Sequence, residues 1–210
     1  MSDKKMVAIG DSITHGTYHD GEWFIANPNF ATLVKESLGF SQLINYGANG
    51  VSISSTSTTN GEYAMSLRIK EMENADMALV AGGTNDYGTS VVLGSAEDKT
   101  DVSFFGALYI FFTELKKKYQ KVYIVTPIRR RDDGENKVGK TLEDYRKAIE
   151  IRAKEFDFCV IDGYGVPIDP KDVKDTKDYI PDGLHPNQEG HKLYAKYIVS
   201  RIKEYENGNI

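Results

Sequence analysis

Val7-Ala8-Ile9-Gly10-Asp11-Ser12 is an apolar run that stops in a polar Gly-Asp-Ser turn. Apolar and polar residues do not alternate along it. A strand of that kind is covered on both faces, as strands of a parallel sheet are. Strands read at residues 6–10, 42–45, 77–81, 122–126 and 158–161 share this character. Helical patterns separate them, so the chain reads as α/β with a parallel sheet.

The helix over 30–38 carries Phe30, Leu33, Val34 and Leu38 on one face. A weaker helical pattern covers 63–72. Thr141-Leu142-Glu143-Asp144 resembles a capping box with Asp in place of Glu, and opens a helix bearing Leu142, Tyr145, Ile149 and Phe156. Asn187 caps the last helix, which buries Tyr194, Ile198 and Ile202 and is expected to leave His191 on its surface. The helix over 102–119 is apolar nearly all round between Phe104 and Phe112. Such a helix is buried or covers a partner. Burial and pocket lining are expected, with a homodimer interface as the alternative. No repeat or linker divides residues 1–210, so one domain is expected.

The chain has 210 residues, 40% of them hydrophobic, and a formal net charge of -5. That balance suits a soluble domain and excludes a general nucleic-acid binder, which needs a basic face. No apolar run is long enough for membrane insertion, and no signal-like stretch precedes the first strand, so the cytoplasm is the expected location. Cys159 is the only cysteine, which rules out an intramolecular disulfide and suits a buried packing thiol.

In open α/β sheets, sites form where strands end and loops begin. Ser12 stands at the end of the first strand, and its hydroxyl needs a base before it can act as a nucleophile. Asp182-Gly183-Leu184-His185-Pro186 offers that base in His185, with Asp182 placed to orient the imidazole. Each motif alone is an ordinary turn. His15 and His19 share the loop after Ser12 and are expected to touch substrate before serving as base. Acyl transfer to Ser12 would create an oxyanion, which needs fixed N–H donors. Asn45-Tyr46-Gly47-Ala48-Asn49-Gly50 and Gly82-Gly83-Thr84-Asn85-Asp86 follow the second and third strands. Gly50 can offer its backbone N–H and Asn85 its amide, while Asp86 is read as a buttress of its loop.

The ordered set Gly-Asp-Ser, Asn…Gly, Gly-X-Asn-Asp and Asp-X-X-His resembles the SGNH (GDSL-type) hydrolase family over nearly the whole chain. The resemblance implies a flavodoxin-like, three-layer α/β/α sandwich with a five-stranded parallel sheet. It implies Ser12 as nucleophile, His185 as base and Asp182 as its orienting acid. Ser12, Gly50 and Asn85 would form the oxyanion hole. It also implies ester hydrolysis through an acyl-enzyme, with no cofactor or metal. Ile13 replaces the Leu of the usual Gly-Asp-Ser-Leu block. Gly47 competes with Gly50 as donor, and spacing from Asn45 favours Gly50.

The expected substrate is a small-molecule ester, with a short acyl group such as acetyl on a carbohydrate or other polar alcohol. A lipase or lysophospholipase activity is the alternative. Trp23, Tyr18 and Tyr87 are expected near the catalytic edge. The charged run Arg129-Arg130-Arg131-Asp132-Asp133-Gly134 reads as a solvated loop, with a substrate-side flap as the other reading. Two competitors come from other classes. A metal-dependent phosphoesterase would use Asp11, Asn45, Asn85 and His185, and a non-catalytic binding module would merely keep the fold.

Overall fold

The computed structural model describes residues 3–169 and 178–208; Met1 and Ser2, at the head of the polar N-terminal stretch, lie outside the described residues. Five parallel strands form the main sheet: β1 (Lys5–Gly10), β4 (Gln42–Gly47), β5 (Met77–Ala81), β6 (Lys121–Val125) and β7 (Cys159–Ile161). Their spatial order is β4-β1-β5-β6-β7. The chain therefore goes from β1 to one side, then crosses back to the other. The end of β1 is the topological switch point, where an open sheet parts its loops to make a crevice.

Helices cover both faces. Val7, Ile9, Val80 and Ile124 pack against α5 (Phe104–Lys118) and α6 (Leu142–Glu155). Met6, Ala8, Leu79 and Val125 pack on the opposite face, in the cluster holding Phe30 and Val34 of α2 (Phe30–Ser37) and Tyr194 and Ile198 of α7 (Gln188–Glu206). Successive strand residues thus feed two separate cores, which is why the strands are apolar without alternation. The layers are α/β/α, as the resemblance implied.

Caps set the helix boundaries. Asn29 accepts from Thr32 N at the start of α2, Ser103 from Gly106 N at the start of α5, and Asn187 from Gly190 N at the start of α7. Thr141 and Asp144 complete the capping box of α6 in both directions. The 63–72 segment is broken into 3-10 turns around the short α3 (Met65–Arg68). The apolar helix α5 is buried from Phe104 through Leu108, and at Phe111, Phe112 and Leu115. Its side chains fill the core rather than line the main cavity.

Two expectations are corrected by burial. His191 is not on the surface of α7: it is fully buried, stacks on Phe30, and its Nδ1 accepts from Phe30 N at 3.3 Å. It stands three residues before Tyr194, on the same apolar stripe. Tyr87 belongs to α4 (Thr84–Gly88) and is also buried, edge-on to Tyr145, with its hydroxyl donating to Gly134 O. Cys159 is half-buried on an edge strand, and burial raises its thiol pKa.

An antiparallel hairpin, β2 (Thr17–Asp20) and β3 (Glu22–Ile25), follows the first strand and its short helix. The segment reads as a plain loop in sequence. Trp23, Phe24 and Ile25 are all exposed on it.

Candidate active site

Register brings the loops together. Gly10 of β1 pairs with Gly47 of β4 and with Ala81 of β5. Three strands therefore end level, and the segments bearing Ser12, Gly50 and Asn85 leave the sheet at one edge.

Only Asp11 separates β1 from the helix α1 (Ser12–His15). Asp11 caps it, accepting from Ile13 N at 2.9 Å. Burial pushes the Asp11 carboxyl up to about 6, against the pull of that N–H and of His185. At the other end of α1, Thr14 O accepts from Asn45 Nδ2 at 2.8 Å and from Asn29 Nδ2 at 3.3 Å. Ser12 is the first residue of α1, so its N–H has no helical partner to donate to.

Residues 12 and 185 meet. Ser12 Oγ lies 2.9 Å from His185 Nε2, and His185 Nδ1 lies 2.6 Å from Asp182 Oδ2. Asp182 Oδ1 accepts from Leu184 N at 2.8 Å and from His185 N at 2.7 Å. Burial alone would raise the Asp182 pKa, but bonds from the His185 ring and these two N–H groups outweigh it and hold the carboxyl below its usual range. An ionised Asp182 requires the proton on Nδ1, which leaves the Nε2 lone pair facing Ser12. Ser12 and His185 are both nearly buried, at 7% and 8% exposure, and the Trp23 ring stands edge-on to the imidazole.

The loops after β4 and β5 support each other. Asn85 Nδ2 donates to Val51 O at 2.9 Å, and Asp86 accepts from Ile53 N and Ser54 N at 2.9 Å each. Asp86 is fully buried, and burial pushes it up to about 7 in spite of those donors. It buttresses the loop that carries Gly50. The two glycines part company. A Cβ on Gly47 would lie 2.2 Å from His15 N, so that residue is the floor on which α1 rests. Gly50, with φ +70°, lines the cavity beside Ser12 and Asn85.

The charged run after β6 is anchored, not a free flap. Arg131 N donates to Gly183 O at 2.7 Å, fastening it to the Asp182–His185 turn. Arg130 Nη1 donates to Thr84 O and Thr84 Oγ1, next to Asn85, and its guanidinium lies over the Tyr87 ring. One segment thus ties the imidazole loop to the helix that holds Asn85.

A cavity of about 620 Å³ opens over Ser12. Trp23, Phe24, Ile25 and Leu184 supply apolar lining, while His15, Thr17, Asn49, Gly50 and Asn85 supply polar lining. Tyr18 stacks on Phe24 without lining the cavity, and His19 stands edge-on to Trp23. Sequence reasoning missed Phe24, Ile25, Thr17 and Asn49. The Asp20-Gly21 pair between aromatic residues was the available signal for their hairpin. No group of three or more His, Cys, Asp or Glu converges as metal ligands among the described residues. Asn45, one ligand of the phosphoesterase alternative, is committed to Thr14 O and Gly47 N. No helix among the described residues is long and apolar enough to cross a membrane.

Comparison with known proteins places the chain in a family. No curated protein matches the chain. Among solved structures, a Lactobacillus plantarum protein is 25% identical, covers 97% of this chain and 98% of its own, and superposes with TM-score 0.82. A possible lipase from Chitinophaga pinensis is 20% identical over 97% of this chain and 99% of its own, with TM-score 0.71. An acetylxylan esterase from Geobacillus stearothermophilus shares the fold at 17% identity and TM-score 0.63, covering 96% of this chain and 94% of its own. The family model of the GDSL-like lipase/acylhydrolase family matches residues 8–193. On that match the chain belongs to the GDSL-like lipase/acylhydrolase family, and it is a carboxylic ester hydrolase.

Proposed function

We propose that Ser12 attacks the ester carbonyl and that the protein cleaves short-acyl esters of a carbohydrate or similar polar alcohol. The relay Ser12 Oγ–His185 Nε2 at 2.9 Å and His185 Nδ1–Asp182 Oδ2 at 2.6 Å carries this reading. His185 Nε2 takes the hydroxyl proton as Ser12 Oγ bonds to the carbonyl carbon. The imidazolium is stabilised by Asp182. The new oxyanion is held by the N–H groups of Ser12 and Gly50 and by the Asn85 amide, whose second N–H remains after the bond to Val51 O. The tetrahedral adduct collapses, the C–O bond to the alcohol breaks, and His185 returns its proton to the leaving oxygen. Water, deprotonated by His185, then releases the acid and regenerates Ser12.

The mixed lining of the cavity supports a substrate with a small apolar acyl group and a hydroxylated alcohol. The apolar side chains of the hairpin support a second reading, a lipase or lysophospholipase acting on longer acyl chains. An acyl series of p-nitrophenyl esters from acetyl to palmitoyl, with Ser12→Ala as control, separates them. Highest kcat/KM at acetyl and loss of turnover in Ser12→Ala are expected. A maximum at long chains favours the lipase, and an Ala variant that retains turnover removes Ser12 as nucleophile.

A further inference from the structure

His15, Thr17 and Asn49 form a hydrogen-bonded row in the cavity wall that the chemistry at Ser12 does not use. His15 Nδ1 lies 2.8 Å from Thr17 Oγ1, and Thr17 Oγ1 donates to Asn49 Oδ1 at 2.8 Å. A threonine hydroxyl has one proton. Because Thr17 gives it to Asn49, its oxygen must receive the Nδ1–H of His15. That order puts a proton on Nδ1, so that the neutral ring has its bare lone pair on Nε2, and it leaves both Asn49 amide protons unused. Neither His15 Nε2 nor Asn49 Nδ2 has a partner among the described residues, although both residues line the cavity. Thr17 itself is 8% exposed, so the joint between them is sheltered from competing water.

We infer that His15 and Asn49 form a hydroxyl-binding subsite that selects esters of polyhydroxylated alcohols, with Thr17 as the residue that positions both. A hydroxyl is donor and acceptor at once, and this wall offers one acceptor and one donor. On an acetyl ester every hydroxyl belongs to the alcohol, so the subsite reads the leaving group. The Trp23 ring, 64% exposed in the lining of the same cavity, offers an apolar face for the C–H side of a sugar ring. The inference rests on the short-acyl reading above for its kinetic consequence, but the binding it describes does not.

Asn49→Asp keeps the acceptor for Thr17 and removes the cavity donor; His15→Leu removes the acceptor. For each, kcat/KM is compared between a monoacetylated methyl xyloside and p-nitrophenyl acetate. The ratio of the two should fall about five- to tenfold, the worth of one neutral hydrogen bond. An unchanged ratio in both variants overturns the subsite. Trp23 is the only tryptophan, so indole fluorescence reports one wall of one cavity. In the Ser12→Ala protein it should change saturably on titration with methyl xyloside, glucoside or N-acetylglucosaminide, and adding Asn49→Asp should weaken that binding. No saturable change with any of these glycosides, or equal affinity in both proteins, overturns the inference even if the wild-type protein hydrolyses no ester.

Discussion

Replacing Asp182 by Asn tests the relay without disturbing the loop. Asp182 Oδ1 accepts two backbone N–H groups, at 2.8 Å from Leu184 and 2.7 Å from His185. An asparagine keeps its carbonyl oxygen on those donors, so its Nδ2 must face His185 Nδ1, where the carboxylate oxygen stood at 2.6 Å. Two N–H groups cannot face each other, so the imidazole moves its proton to Nε2. Ser12 then confronts a donor instead of a base. The imidazolium also loses its anionic partner. A tautomer inverted in this way in a Ser-His-Asp triad costs roughly 10⁴ in kcat, about 5 kcal/mol of barrier. Hydrolysis of p-nitrophenyl acetate at neutral pH should therefore fall by about three to four orders of magnitude. The melting temperature should stay near that of the wild type, and the ¹⁵N shifts of His185 should report the Nε2–H form. Asp182→Ala differs: it strands the two N–H groups in a half-buried turn and should cost about 1–3 kcal/mol of stability as well. An Asn variant within about tenfold of wild-type kcat/KM would refute the role of Asp182 in fixing the ring.

The two glycines after β4 should respond in opposite ways. Gly47→Ala drives a Cβ to 2.2 Å from a backbone nitrogen and should prevent soluble folding, whereas Gly50→Ala, whose Cβ meets the Asn60 and Thr59 side chains at 2.9 and 3.3 Å at φ +70°, should fold with modest loss of stability and lower kcat only as far as that strain shifts its retained N–H. Equal thermal stability of the two variants, measured by circular dichroism, would remove the distinction. His191 predicts acid lability. Burial lowers its pKa from 6.5 to about 4, so the fold excludes a proton that the unfolded chain binds; this stability is present above about 6.5 and is lost as pH falls to about 4, on the order of 3 kcal/mol in all. Asp11 and Asp86, raised to about 6 and about 7, act in the opposite sense over the same range, so the comparison must be with a His191→Gln variant. Urea denaturation should show the wild type losing more stability than that variant on acidification, and parallel losses would contradict it.

The sheet was legible because its central strands are buried on both faces and carry no polar interruption. Met77–Ala81, buried throughout, is found at the residues its sequence indicated. Ser12, Asp182 and His185 were recognisable as chemical types; the level ends of β1, β4 and β5 bring the segments of Ser12, Gly50 and Asn85 to one place, and the Asp182–His185 turn, fastened to the segment after β6, meets Ser12 there. The hairpin was not legible, since Trp23 and Ile25 are exposed and no core imposes a period on them. His191 misled because imidazole is read as polar, although its place three residues before Tyr194 put it on the buried stripe. Nor could residue types alone show that Arg131 holds its partner through backbone N–H, an interaction indifferent to side-chain charge.

The single residue between β1 and the proposed nucleophile, Ser12, has a mechanical consequence. Ser12 inherits the rigidity of Val7 and Ile9, with no linker to absorb strain, so the bond-breaking step tolerates little drift beneath it. The hairpin of Trp23 bears almost none of the core's weight. The hairpin lines the cavity, yet none of Tyr18 to Ile25 belongs to either buried core, so changes at Phe24 or Ile25 are expected to alter the cavity wall at little cost to the fold.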